Sequence, residues 1–300
     1  MRKPYFTGWY FRATDLETNY SLSIIVGTHY SIEKHSSFIQ IIDTTEKKTY
    51  YISYPSHYLK LNVNPFYIKC GKSIFTKDFM YLNIDTPRIQ LHGLLTFDDL
   101  LDIKRTVTSP TIMGPFSFFN FMECYHHILS LHHFVNGVVT LNGKKHFFNQ
   151  ASGYIEADSG TSFPKDYVWL QCNTFNTNDI KFMCSFAHIP FLITSFNGLI
   201  CVLNINGKEH RFATYNGSHV ERYLINSSKV YMIIRKKHYR LVIKAHLKNG
   251  RSLISPQLGT MNRPVIEDLE GQISIQFFKN NALLFEDLGE LCAIEISHKY

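Results

Sequence analysis

Apolar and polar residues alternate along this chain from one end to the other. The runs SFIQIID from Ser37, TYYISY from Thr49, RIQLHGLLTF from Arg88, GVVTLNG from Gly137, ICVLNING from Ile200 and QISIQFF from Gln272 all repeat every two residues. Successive side chains of a strand point to opposite faces, so this period predicts β-strands with one buried face. Asn-Gly occurs six times, at Asn136, Asn142, Asn197, Asn206, Asn216 and Asn249, and the pair suits the positive φ angles of tight hairpin turns. In VVTL-NG-KKHFF and ICVLNI-NG-KEHRF it is flanked by alternating runs on both sides. No long segment of period 3.6 is available for crossover helices, so the strands are expected to run antiparallel, with little helix. The aromatic stretch from Phe116 to Met122, next to Pro115, is the place for a short turn or helix.

The pattern also repeats on a larger scale. Trp9 and Trp169 are the only tryptophans, and eleven residues after each comes a similar strand, YSLSIIVGTHY from Tyr20 and IKFMCSFAHIPF from Ile180. SFIQIIDTTEKKTYYISY from Ser37 then matches LICVLNINGKEHRFATY from Leu199, and RIQLHGLL from Arg88 echoes RLVIKAHL from Arg240. Both halves reach Ser-Pro, at Ser109 and Ser255, and then a glutamate, Glu123 or Glu267, shortly before an alternating run. The landmarks keep their order. The chain is therefore expected to be all-β, with two antiparallel barrel or curved-sheet domains related by internal duplication, residues 1–150 and 151–300.

Composition agrees with this picture. Three hundred residues exceed the usual single domain, and 45% hydrophobic, 18% charged and 15% aromatic residues describe a globular chain that favours pleated surfaces. The net charge of +7 is spread along the sequence, and only Arg235, Lys236, Lys237 and Arg240 cluster, between the apolar runs VYMII and LVIKAHL. That position suits a solvated hairpin tip better than a nucleic-acid site, so no nucleic-acid partner is expected, while attraction to an anionic membrane surface stays open. No stretch of about 20 apolar residues occurs, and MRKPYFTGWYFR lacks the form of a signal peptide, so a cytoplasmic, soluble protein is expected. The six cysteines, at 70, 124, 172, 184, 201 and 292, have no CxxC spacing and lie in or beside apolar runs, which reads as reduced core residues.

The segment from Met113 to Phe175 stands apart. GPFSFFNFMECYH from Gly114, GYIEADSGTSFP from Gly153 and VWLQCNTF from Val168, with GWYFR from Gly8 and SPQLGTMNRPVIEDLEG from Ser255, together resemble the signature runs of the tocopherol cyclase-like family. Carotenoid hydratases and lipocalin-type pericyclases resemble the chain more distantly. The resemblance implies two lipocalin-like domains and a hydrophobic small-molecule ligand. It also implies acid-catalysed cyclisation or isomerisation of a prenylated quinol or terpenoid-like substrate, an intramolecular lyase chemistry. Where the family commonly reads Glu-Lys-Asp-Trp-Gly, this chain reads Glu156-Ala157-Asp158-Ser159-Gly160. Loss of the lysine would change how the carboxylates ionise, and loss of the indole would reshape an apolar wall.

Such a ring closure needs a proton delivered to a double bond and another removed from a phenol, with water kept away from the carbocation. A carboxylic acid in an apolar pocket supplies the first proton, and no cofactor or metal is required. Asp158, Glu156 and Glu123 are the candidate acids and His126 a partner in proton transfer. Substrate contacts are expected from Phe116, Tyr125 and His127, and from Trp9, Trp169, Gln171 and Asn173, all within the runs quoted above. Each has a plainer reading. Glu123 could pair with a basic residue such as Arg12, and Asp158 could cap a turn in the ADSGTS stretch. His126, His127, His132 and His133 cluster, but neighbouring strand residues face opposite ways and no further ligand spacing completes a metal site. A carrier of an apolar molecule that lost its chemistry, or a scaffold with packed-shut pockets, remains the alternative to an enzyme.

Overall fold

The computed structural model describes residues 3–32, 34–46, 48–177, 179–191 and 193–297. Its strands are β1 (Tyr5–Asp15), β2 (Tyr20–Tyr30), β3 (His35–Asp43), β4 (Lys48–Pro55), β5 (Leu59–Val63), β6 (Phe66–Cys70), β7 (Ser73–Thr76), β8 (Phe79–Asp85), β9 (Gln90–Leu101), β10 (Cys124–Leu141) and β11 (Lys144–Gly160). They continue with β12 (Tyr167–Cys172), β13 (Ile180–Phe191), β14 (Thr194–Ile205), β15 (Lys208–Ala213), β16 (His219–Ile225), β17 (Lys229–Lys236), β18 (Tyr239–His246), β19 (Arg251–Gln257), β20 (Thr260–Lys279) and β21 (Ala282–Ser297). Helix is confined, among the described residues, to three short 3-10 turns, one of which, Gly114–Phe118, lies in the aromatic stretch.

Two sheets result, with one connectivity. The first runs β4-β3-β2-β1-β11-β10-β9-β8-β7-β6-β5 and the second β15-β14-β13-β12-β21-β20-β18-β17-β16, with β19 against β20. In each, the first strand pairs with the second on one side and with the last on the other, and the rest is an antiparallel meander. This shared order is the internal duplication that the landmarks predict. Trp9 and Trp169 lie on the corresponding strands β1 and β12, but on opposite faces. Trp9 belongs to the apolar core of its sheet, whereas on β12 that place is taken by Val168 and Leu170. Aligning the halves on tryptophan is thus one residue out of register, which in a strand exchanges the faces.

Each sheet curls around its own core. The first core takes alternate residues from almost every strand, including Phe11, Leu22, Ile24, Ile39, Phe75, Leu82, Leu91, Val139 and Ile155. The second does so with Leu170, Phe182, Cys201, Phe212, Met232, Ile243, Phe277 and Ile294. One apolar face gathered into one cluster requires a curved sheet, and such curvature follows from strand twist. Five of the cysteines are buried, Cys124 is half-buried, and all six are free thiols.

The compact units are not simple halves. One comprises Met1–Asp102, Leu129–Ser162 and Pro256–Arg263, the other Ile103–Ile128, Phe163–Ser255 and Pro264–Tyr300. β11 runs across Gln150, where the backbone takes a φ of 51°, and its stretch from Ser152 to Gly160 pairs with β1.

Of the six Asn-Gly pairs, those at Asn142 and Asn206 form two-residue hairpin turns, with φ of 47° and 85°, and of 49° and 78°. The pairs at Asn136 and Asn197 lie inside β10 and β14, that at Asn216 ends a 3-10 turn, and that at Asn249 precedes β19. The β20–β21 hairpin instead turns on Asn280-Asn281, with φ of 49° and 65°, since asparagine also tolerates the left-handed region.

Candidate functional site in the first unit

Antiparallel sheets commonly face water on one side. Around β1 this sheet does not, because β3 is buried at every position but its first and β1 is buried continuously from Trp9 to Asp15. The core-facing side holds Trp9, Phe11, Ile39, Ile41 and Ile155. The other side is also buried yet carries polar groups, among them Arg12 at 4% exposure, Gln40 at 3% and Glu156 at 5%. Buried ionisable side chains cost stability unless they are partnered, so a face built of them invites a functional explanation.

Two of the signature runs meet here. GWYFR forms β1, GYIEADSG forms the end of β11, and their register sets Arg12 opposite Tyr154, Tyr10 opposite Glu156 and Gly8 opposite Asp158. Directly opposed residues share a face, so these six line the polar side as three rungs. The Tyr154 hydroxyl donates to Glu156 Oε2 at 2.6 Å, and the Tyr10 and Tyr154 rings meet edge-on with centroids 6.5 Å apart. Burial pushes the Tyr154 phenol well above its ordinary range, and the Glu156 carboxylate pushes it further, so the phenol keeps its proton and acts as donor. Glycine at position 27 makes room beside this face. A Cβ there would lie 2.8 Å from the Phe38 ring and 2.5 Å from the Thr7 carbonyl.

Asp158 lies within β11, half-buried, on the same face as Glu156. The departures from the family pattern fall on the opposite side: Ala157 packs against the core, and Ser159 shares its face. A side chain at 157 is directed away from the carboxylates, so the expected change in their ionisation has no direct route. Trp9 is built into the core, with its ring centroid 6.4 Å from that of Phe66.

The remaining expected residues belong to the second unit. Trp169 and Gln171 lie on the non-core face of β12, both buried, and Asn173 follows just after the strand. Opposite Trp169 is Glu295, which accepts a hydrogen bond from the Tyr167 hydroxyl. Each unit thus sets a buried glutamate opposite an aromatic residue on its first strand, with a tyrosine donating to it. Glu123 precedes β10 and is half-buried, as are His126 and His127. The Tyr125 hydroxyl donates to the Phe119 carbonyl, and the His126 backbone N–H to Met113 Sδ at 3.1 Å, so both brace the 3-10 segment. Phe116 stacks on Phe196. His133, in the first unit, meets Ser130 Oγ through Nδ1 at 3.0 Å, and burial lowers its pKa to about 3, which keeps it neutral.

Sequence reasoning passed over Tyr10, Tyr154 and Glu295, and named Arg12 only as an ion-pair partner for Glu123. Their signal was a polar residue at every second position of an otherwise apolar run, as in YIE from Tyr154 and AIEI from Ala293.

The fold is shared with solved structures. CghA superposes with a TM-score of 0.61 at 8% identity, covering 98% of this chain and 88% of that one. Kievitone hydratase from Nectria haematococca gives 0.57 at 11% identity, covering 98% and 89%. A protein assigned as AttH from Nitrosomonas europaea gives 0.56 at 12% identity, covering 98% and 93%. At these identities the likeness is one of lipocalin-like two-domain architecture. No curated protein sequence matches the chain. The profile of the tocopherol cyclase-like proteins matches residues 102–298, which includes β10, β11 with both of its carboxylates, and all of the second sheet from β12 onward. By that match the chain belongs to the tocopherol cyclase-like family.

Proposed function

We propose that this protein is an enzyme that cyclises or isomerises a prenylated quinol or terpenoid-like substrate by proton transfer, with no cofactor taking part. The observation that carries the reading is the buried polar face of β1 and β11, where Tyr10, Arg12, Tyr154, Glu156 and Asp158 stand on three adjacent rungs. Asp158 as a carboxylic acid gives its proton to the alkene, and the tertiary carbocation that forms is captured by the phenol oxygen of the same molecule. The phenolic proton passes to Glu156, which the Tyr154 hydroxyl already addresses. One C–O bond forms, one C=C π bond is consumed, and the proton gained at Glu156 restores Asp158, so the sum is an isomerisation. Burial suits the step because water would trap the cation. Glu123 and His126 are retained as further candidates for proton transfer, and Trp169, Gln171 and Asn173 for substrate contact.

The test is product analysis by mass spectrometry after incubation with a prenylated hydroquinone, together with extraction of any lipid that co-purifies. Asp158→Asn and Glu156→Gln should each lower turnover by about two orders of magnitude or more, with the melting temperature little changed. Turnover surviving in both variants and in Glu123→Gln would exclude these carboxylates as the essential acid. A tightly retained lipid with no turnover in the wild type would make the protein a carrier instead.

A further inference from the structure

We propose that Gly8 sets substrate specificity: the place left by its missing side chain, beside Asp158, receives the methyl-bearing end of the substrate's alkene. This deepens, and rests on, the reading of the β1–β11 face as the proton-transfer site. One rung of that face crosses four strands as Asp158, Gly8, Gly27 and Phe38, so its two middle positions carry no side chain. The next rung, Glu156, Tyr10, Ile25 and Gln40, has a side chain on every strand.

The fold asks different things of the two glycines. Gly27 is required by packing, since the Phe38 ring lies over it and a Cβ there would also fall 3.0 Å from the Gly8 Cα. A Cβ on Gly8 would meet Ile25 Cγ2 at 3.7 Å, the Val26 carbonyl oxygen at 3.9 Å and Phe38 Cζ at 4.0 Å, all ordinary van der Waals contacts. Nor does Gly8 take a positive φ. Neither sterics nor backbone conformation calls for glycine at this position, although glycine inside a strand forfeits side-chain packing and costs conformational entropy. A strand glycine left without those reasons marks the close approach of a ligand.

Exposure picks out the same spot. Gly8, Ile25 and Asp158 are all part-exposed, whereas Phe6, Tyr10, Phe38 and Glu156 around them are 7% exposed or less. The three positions form one recess in a buried face, floored by Gly8, with Asp158 on one side and the apolar Ile25 and Phe38 on the other. Adjacent strands lie about 5 Å apart, so a group resting on Gly8 sits next to the Asp158 carboxyl, at the short range that proton transfer to carbon needs. Apolar walls opposite the acid suit an alkyl-substituted alkene carbon rather than a polar group.

The test compares the full chain with two variants on a prenylated hydroquinone and on its homologue bearing ethyl in place of methyl at the alkene. Gly8→Ala fills the recess and Ile25→Ala widens it. The ratio of kcat/KM for the methyl over the ethyl substrate should rise about tenfold in Gly8→Ala and fall about tenfold in Ile25→Ala. Gly8→Ala should melt no lower than the wild type, because the backbone there accepts a Cβ. Titration calorimetry with the saturated counterparts of both compounds, which cannot react, should give dissociation constants that shift in the same order. A methyl-to-ethyl ratio unmoved by both variants overturns the proposal. So does a lowered melting temperature in Gly8→Ala, for the glycine would then serve the fold. A wild type that binds the saturated pair with these shifts but turns over neither substrate overturns the proton-transfer reading and leaves the recess standing. A wild type that binds neither compound overturns both.

Discussion

A phenol that donates to a buried carboxylate is costly to lose. Tyr154→Phe keeps the ring in its place but leaves Glu156 without that hydrogen bond, so denaturant unfolding should register a loss of about 1–3 kcal/mol. Histidine burial gives a second residue-scale expectation. The pKa of His133 is lowered to about 3 by burial, and those of His29, His146 and His210 are lowered too, burial again being the largest cause. The unfolded chain binds protons near pH 6.5 that the folded protein refuses, so stability holds above that pH and falls as the pH drops towards 3. Melting temperatures between pH 7 and 4 should decline accordingly, and His133→Asn should flatten the decline. An unchanged slope in that variant would mean that His133 is not held neutral.

Among the elements, Asn-Gly shows how one local signal divides by context. At Asn142 and Asn206 the pair stands between two strands that are neighbours in the sheet, so it becomes the turn. At Asn136 the strand is already committed to pairing with β9 on either side, Val135 with Phe97 and Val138 with Leu94, and Gly137 serves close approach instead. Gly207→Ala and Gly137→Ala separate the two roles. The first meets open space and only a positive φ, so it should cost about 1 kcal/mol. The second would set its Cβ 2.1 Å from the Leu94 carbonyl, and should lower the melting temperature considerably more. Equal effects would show that backbone conformation alone governs both sites.

At the scale of the whole molecule, each sheet surrounds one core, so large-to-small changes at its centre should be felt fully. Phe75→Ala in the first and Phe277→Ala in the second, both essentially inaccessible, should each destabilise by about 3–5 kcal/mol in denaturant titrations. The sequence by itself determined the all-β class, the antiparallel meanders and the duplicated order of strands, because alternation and repeat spacing are local properties that a linear pattern records. It also marked Glu156 and Asp158, which sit in a distinctive run. Only the tertiary structure decided that β11 closes back on β1, for that pairing joins segments well over a hundred residues apart and leaves no local trace. The same pairing decided which face each residue takes. Trp9 and Trp169 read alike in the sequence and part at the fold, while Tyr10 and Tyr154 read as ordinary strand residues and become neighbours of a buried carboxylate. A strand presents two faces, and burial of the second is set by how the chain packs rather than by the period of its own residues.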